Sequence, residues 1–398
     1  MARLSRAAQG VALGLLMLSL VASGIASSAS AQDAATPAAS TLTLEIVASG
    51  LTNPRGLTWN DAGALFVALA GSGGTTPGIP EVPPPDGPFL GGPTGAVVRI
   101  DAGCPVAVTT GIPSYVDAFG GVIGAAAVAI LDGQLYVAIS GGGEIYGNPG
   151  STVGIYRIEA DGSTTLVADH SAYLLANPPA FLPPEGPNTG NPFAMVAGPD
   201  RLWVVDAING LITTVTPDGT ETLAADLSEG HPVPTGIAIG PDGNAYVGNL
   251  TRAPNANGAA KVVQITPDGA VTDVWTGLTT VTGVAVGADG TLYATEMSTG
   301  NTDAPPFFVP GSGRVVRQTG PDSAEPVAEG LMLPVGLALG PDGALYVPMP
   351  ARGADDGSGT IARLDIQGTG PVTSAPPTCT PLPETIATAA GAATPEAG

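Results

Sequence analysis

Three oxygen-bearing side chains stand at matching places in three similar stretches of this chain: Asp206 ends LWVVD, Asn249 ends AYVGN and Glu296 ends LYATE. Carboxylate and amide oxygens that converge on one axis suit a calcium ion, which takes about six to eight oxygen ligands in flexible geometry. Asp206, Asn249 and Glu296 are therefore the candidate metal ligands. Asn191, Asn209, Arg252 and Arg55 stand close to these positions or their counterparts and are the candidate ligand-binding residues. An arginine at position 55 would repel a metal ion, or would instead form an ion pair with Glu296 or Asp206. Other chemistry finds little support. The two histidines, His170 and His231, have no cysteine or second histidine nearby, and no Gly-x-Ser-x-Gly turn occurs, which argues against a zinc site and a Ser-His-Asp triad. The acidic loop ADDGSG at 354–359 lacks the spacing of an EF-hand and reads as a turn, and no glycine motif that cradles phosphates is present.

Positions 206, 249 and 296 correspond because the chain repeats itself. Five segments read almost alike, GLTWNDAGALFVA from Gly56, AMVAGPDRLWVVDA from Ala194, GIAIGPDGNAYVGN from Gly236, GVAVGADGTLYATE from Gly283 and GLALGPDGALYVPM from Gly336; a weaker copy, AAVAILDGQLYVAI, starts at Ala126. Each is an apolar strand, a tight turn and a second strand. In the turn, glycine reaches positive φ without steric cost and aspartate accepts a hydrogen bond from the turn backbone. A third strand follows, as in GIYRI and KVVQI, and then a fourth, as in TLVA and VTDVW. Four antiparallel strands repeated six times predict an all-β, six-bladed β-propeller over residues 41–370. The turn aspartates at 200, 242, 289 and 342 are 42, 47 and 53 residues apart, which is blade size, whereas the earlier intervals of 71 and 68 residues from Asp61 and Asp132 carry insertions. The first strand of each copy is almost wholly Gly, Ala, Val, Ile and Leu, as expected where blades crowd together at a central axis.

An open ring would leave two unpaired sheet edges. The segment TLTLEIVASGL at 41–51 looks like a fourth strand, so residues 42–48 are expected to complete the sixth blade, with PVTSA at 371–375 as the competing candidate. Loops between second and third strands, and between blades, should share one face. The long insertions 70–93, 140–153, 169–191 and 297–312 all fall there, while the hairpin turns of the opposite face are minimal. Long loops cost little closure entropy, and gathering them on one side of a rigid scaffold makes a binding surface.

The ends of the chain have their own signatures. Arg3 and Arg6, the apolar run 11–25 and Ala29-Ser30-Ala31 form a secretory leader with cleavage expected after Ala31, followed by a linker at 32–40. The mature protein is then expected to be extracellular and monomeric. Losing both leader arginines takes the formal net charge from −22 to −24. With one lysine and scattered arginines, nucleic acid and anionic membrane surfaces are poor partners, and no later segment is apolar for the ~20 residues of a spanning helix. Cys104 and Cys379 permit one disulfide, the alternative being two free or intermolecular thiols. Cys104 falls in a bottom turn of the first blade. The tail leaves the adjoining sixth blade on the same side and within reach, so a bridge stapling the ring is expected, with the rest of the 371–398 tail disordered.

The strings NPRGLTW, GPTGAVVRI, ADHSAYLLANPP, NPFAMVA, PVPTGIAIGPDGNAYVGNLT and PVGLALGPDGALYV resemble the ScyD/ScyE family, secreted bacterial six-bladed propellers named after a scytonemin-pigment gene cluster. The resemblance covers roughly residues 42–365 and implies a fold, since that family has no established reaction. More distantly the hairpins are similar to NHL repeats and to gluconolactonase-like propellers. That likeness implies a calcium held by carboxylates and asparagines, although Arg55 stands where those proteins place a glutamate. Two functions follow as expectations. The first is a non-catalytic scaffold binding a small molecule, a glycan or a protein through its top loops. The alternative is a calcium-dependent lactonase or esterase in which the ion polarises a carbonyl or activates water, with Asp206 or Glu296 as ligand or base.

Overall fold

In the computed structural model, residues 44–82, 87–182, 189–366, 375 and 377–382 are described; all lie in the compact unit Thr41–Gly398. The leader, the linker and most of the tail expected from the sequence lie outside these residues. Six antiparallel sheets follow one another along the chain and form a six-bladed β-propeller. The third blade shows the plan: Pro192–Ala197 is innermost, followed outward by Leu202–Asp206, Leu211–Val215 and Glu221–Asp226. The first blade adds two short strands, Thr76–Pro77 and Val122–Ile123. A single α-helix, His170–Ala176, interrupts the β pattern among the described residues, and no helix there is long and apolar enough to cross a membrane.

Alternation along each strand sends side chains to opposite faces of a blade, so each blade can bury both faces against its neighbours. Six apolar clusters result, one per blade interface. Leu202 and Val204 of the third blade meet Ala138 and Ile155 of the second, for example, and Trp203 and Val205 meet Val247 and Val263 of the fourth. At the axis the crowding explains the glycines that open the repeats. A Cβ on Gly236 would lie 2.9 Å from Gly283 Cα of the next blade, and one on Gly283 would lie 2.4 Å from Leu337 N of the blade after.

The ring closes as expected. Leu44–Leu51 pairs antiparallel with Gly359–Leu364 and becomes the outermost strand of the sixth blade, with Ala48 and Leu51 fully buried. The place for which 371–375 competed is therefore taken. Cys104 and Cys379 are joined in a disulfide with Cα atoms 5.4 Å apart, and Ser49 Oγ donates to Pro377 O at 2.6 Å beside it.

Two local readings need correction. The sixth innermost strand shrinks to Ala338–Leu339, because continuing its register would set Gly336 opposite Pro348, which has no amide hydrogen to contribute. The turn aspartates also differ in their work. Asp242, Asp289 and Asp342 accept from backbone amides two residues on, as expected. In the first blade Asn60 takes that role from Asp61, Asp132 adopts a positive φ of 53°, and Asp200 pairs with Arg201.

Candidate binding cleft

Each of the three residues proposed as metal ligands ends the second strand of its blade, and each is buried. Their side chains face the blade interfaces and connections. They line neither the axial channel nor the cleft described below. The expectation that they ring the channel mouth is corrected accordingly: the second strand projects its side chains between blades, and the axis is reached by the innermost strands and the loops above them.

Asp206 is the most heavily engaged. Its Oδ1 accepts from the Asn209 amide at 2.9 Å, and its Oδ2 accepts from Asn209 Nδ2 at 3.0 Å and the Asn191 amide at 3.3 Å. His170 Nε2 donates to the same Oδ2 at 2.8 Å, while Nδ1 donates to Glu221 Oε1 at 2.7 Å, an oxygen that also accepts from Thr213 Oγ1. Both carboxylates and the imidazole are shielded from solvent. Burial works against the charge on His170, but the two carboxylates outweigh it and push its pKa up to about 10, so the ring is an imidazolium that donates from both nitrogens. Burial likewise works to raise the Asp206 pKa, and the bonds and charge of His170 hold it below the ordinary carboxylate range. His170 opens the short helix, whose N-cap Asp169 accepts from the Ala172 amide, and so pins this helix to the third blade.

Asn249 and Glu296 serve their own blades. Asn249 Nδ2 donates to Pro232 O at 2.9 Å, and Oδ1 accepts from the Lys261 amide at 2.8 Å. Glu296 Oε1 accepts from the Thr279 amide at 2.5 Å, and Oε2 pairs with Arg314. The partners of Asp206, Asn249 and Glu296 have no residue in common, so in this arrangement they do not form a shared oxygen cage. Among the described residues no group of three or more His, Cys, Asp or Glu is spaced to hold a metal ion. In the 354–359 loop, Asp356 Oδ1 accepts from the Ser358 amide, which is turn geometry, while Asp355 Oδ1 accepts from Asn53 Nδ2 of the first blade.

Of the four candidate ligand-binding residues, Arg252 reaches an open concavity. Asn191 and Asn209 belong to the Asp206 network. Arg55 lies at the channel of about 270 Å³ lined by the innermost strands, and donates to Pro54 O and to Val122 O at 2.8 Å. The expected ion pair with Glu296 or Asp206 is not made, because His170 and Arg314 already occupy those carboxylates. Burial first, then the charge of Arg352, lowers the Arg55 pKa to about 10 against the opposing pull of Asp355.

The concavity that Arg252 lines is a cleft of about 760 Å³ on the face where the long loops gather. Every blade contributes through its upper connections, with Phe89 from the first, Tyr146 from the second, Ile208 from the third, Arg252 from the fourth, Phe308 from the fifth and Arg352 from the sixth. Tyr115 and Tyr146 stack with centroids 4.1 Å apart and planes within 3°, and Phe89 packs edge-on against both. Burial raises the pKa of both phenols, keeping them neutral. Elsewhere in the lining, the Arg352 guanidinium sits 5.3 Å from the Phe308 ring centroid. Backbone strain concentrates here. Of the ten described non-glycine residues with positive φ, five line the cleft: His231, Val233, Thr251, Asn255 and Phe307. Val233 at 56° and Thr251 at 70° are β-branched, for which this region is costly and is tolerated where surrounding structure imposes it, often at functional sites. The sequence offered one signal that was not followed to individual residues, the Phe307-Phe308 doublet inside a long insertion.

No family model matches the chain, and no curated protein matches it. Solved structures do. A proposed oxidoreductase (glucose dehydrogenase) of Thermus thermophilus aligns with a TM-score of 0.54 at 17% identity, over 81% of this chain and 99% of that one. The calcium-binding protein regucalcin of Agrobacterium tumefaciens aligns with a TM-score of 0.51 at 15% identity, over 82% and 94%. A structural-genomics protein of unknown function from Bacteroides thetaiotaomicron aligns at 0.50 and 12%, over 81% and 75%. At these identities the likeness is one of fold.

Proposed function

We propose that this chain is a secreted, non-catalytic propeller of the ScyD/ScyE kind that binds a small molecule in the cleft of its loop face. The observation that carries the reading is the cleft itself: about 760 Å³, built from all six blades and lined by aromatic rings and by strained backbone. That volume lies within the usual range for small-molecule pockets. The disulfide and the lack of a membrane-crossing helix among the described residues are compatible with secretion. His170 and Asp206 do not line the cleft and are held in a buried hydrogen-bonded network.

The test is a fragment screen by ligand-observed NMR, repeated on Ile208→Trp, which should fill the cleft. Hits displaced by the substitution are expected; a library without hits, or hits that ignore the substitution, would remove the reading. The calcium-dependent lactonase or esterase stands second, since Asp206, Asn249 and Glu296 are engaged elsewhere. Calcium-dependent melting together with lactone hydrolysis that disappears in Glu296→Ala would reverse that order.

A further inference from the structure

The axial channel, of about 270 Å³, is formed by the six innermost strands, all of which lie among the described residues. Of the described side chains that line it, Arg55 alone is charged, and it is only 8% exposed. Its guanidinium donates to backbone carbonyls, Nη1 to Pro54 O at 3.1 Å and to Asn53 O at 3.5 Å, and Nη2 to Val122 O at 2.8 Å. That leaves Nε–H and one N–H of Nη2 without a partner among the described residues. No described carboxylate forms an ion pair with it. Asp355 acts on it only through its charge, and that side chain is exposed and accepts from Asn53 Nδ2 instead. We propose that the axial channel binds a small monovalent inorganic anion, with chloride as its probe, on the Arg55 guanidinium.

This site goes beyond the function proposed above, since the channel and the loop-face cleft share no described lining residue. A charge taken out of water costs folding free energy that carbonyl dipoles return only in part, and a counter-ion at hydrogen-bond distance returns more. With its pKa at about 10, Arg55 is still a cation at neutral pH, and the charge of Arg352 adds repulsion to the effect of burial. An anion on the free N–H groups offsets both. The surroundings set its charge and size. The neighbouring hydroxyls of Thr235 and Thr282 donate to Val281 O and Pro334 O, and the rest of the described lining is uncharged, so one guanidinium balances one negative charge and a divalent anion would bring in a second with nothing to meet it. The channel volume falls short of the roughly 300–1,000 Å³ of pockets that take drug-sized molecules, which favours an ion over an organic acid.

Urea unfolding of the full chain in sodium chloride and in sodium gluconate of equal ionic strength tests this, because the bulky gluconate supplies the same screening. Above the half-saturating chloride concentration, each further tenfold of chloride should shift the folding equilibrium about tenfold toward the native state, and gluconate should give no such rise. In Arg55→Gln, which removes the cation and keeps a polar side chain, the two salts should act alike. Should that variant fail to fold, bromide soaked into crystals of the unaltered protein decides the matter, with an anomalous peak expected beside the Arg55 guanidinium. Equal effects of the two salts on the unaltered protein, a chloride response that survives Arg55→Gln, or bromide-soaked crystals without a peak in the channel overturns the proposal and leaves Arg55 as a clamp on the Pro54 and Val122 carbonyls. None of these outcomes bears on the cleft, whose reading the Ile208→Trp screen decides.

Discussion

His170 is joined to two carboxylates that lie 36 and 51 residues away, and the three form a buried cluster that no local pattern announces. Removing one member of a buried, hydrogen-bonded charge set leaves the others uncompensated, so His170→Gln should cost about 3–5 kcal/mol in urea unfolding near pH 6. The cluster also sets a pH dependence. The folded pKa of His170, about 10, lies above its unfolded value near 6.5, so its contribution is complete below about pH 6.5 and is lost as pH rises toward 10. Asp206 is depressed, so its contribution is present above its unfolded value and is lost as pH falls through the folded one. Unfolding free energies measured from pH 6 to pH 10 should decline, and the decline should be shallower in His170→Gln. The same geometry predicts that Asp206→Asn destabilises the protein equally with calcium and with chelator; a calcium-dependent difference in melting would return Asp206 to the role of metal ligand.

At the scale of elements, the innermost strands and the closing strand carry the most structural risk. Gly283 has no room for a side chain, since a Cβ would meet the backbone of Leu337, which cannot move aside as a flexible side chain could. Gly283→Val should therefore separate two blades at the axis and cost about 3 kcal/mol or more, by the overpacking of a close backbone contact. The matching substitution at Gly243, a hairpin turn where nothing lies within 4 Å, meets only its positive φ of 78° and should cost about 1–2 kcal/mol. The contrast checks whether crowding or turn conformation is the larger constraint. Much of this level was legible beforehand. The repeats of small apolar residues, the Asp-Gly turns and the strand at 42–48 follow from period-two alternation and turn chemistry, which are local. The shortened sixth innermost strand was missed because its cause, Pro348, sits on the facing strand.

For the whole molecule, closure depends on two contacts between the ends of the propeller: the pairing of Leu44–Leu51 with Gly359–Leu364, and the disulfide 275 residues long in sequence separation. The disulfide acts mainly by restricting the unfolded chain, so Cys104→Ser with Cys379→Ser should lower stability by about 2–5 kcal/mol without changing the fold, read as a shift in the urea midpoint with the slope of the transition analysed separately. Reductant should have the same effect on the unaltered protein and none on the double variant. The loop face depends on closure too, because the cleft draws on both the first and the sixth blades.

Composition and repetition by themselves determined the propeller, its six blades, its closing strand and the face on which the loops collect, because each follows from interactions between residues near in sequence or from a pattern copied along it. Which polar residues would be free for a ligand was decided by the tertiary structure. Asp206, Asn249 and Glu296 read as a matched set along the chain, yet each is taken up by a partner that the fold brings in, whereas Arg352, Phe308 and Tyr146 meet only once six blades have been set around an axis. Hydrogen-bond and charge satisfaction of a buried group depends on everything within a few ångströms of it in space, and sequence spacing carries little of that information.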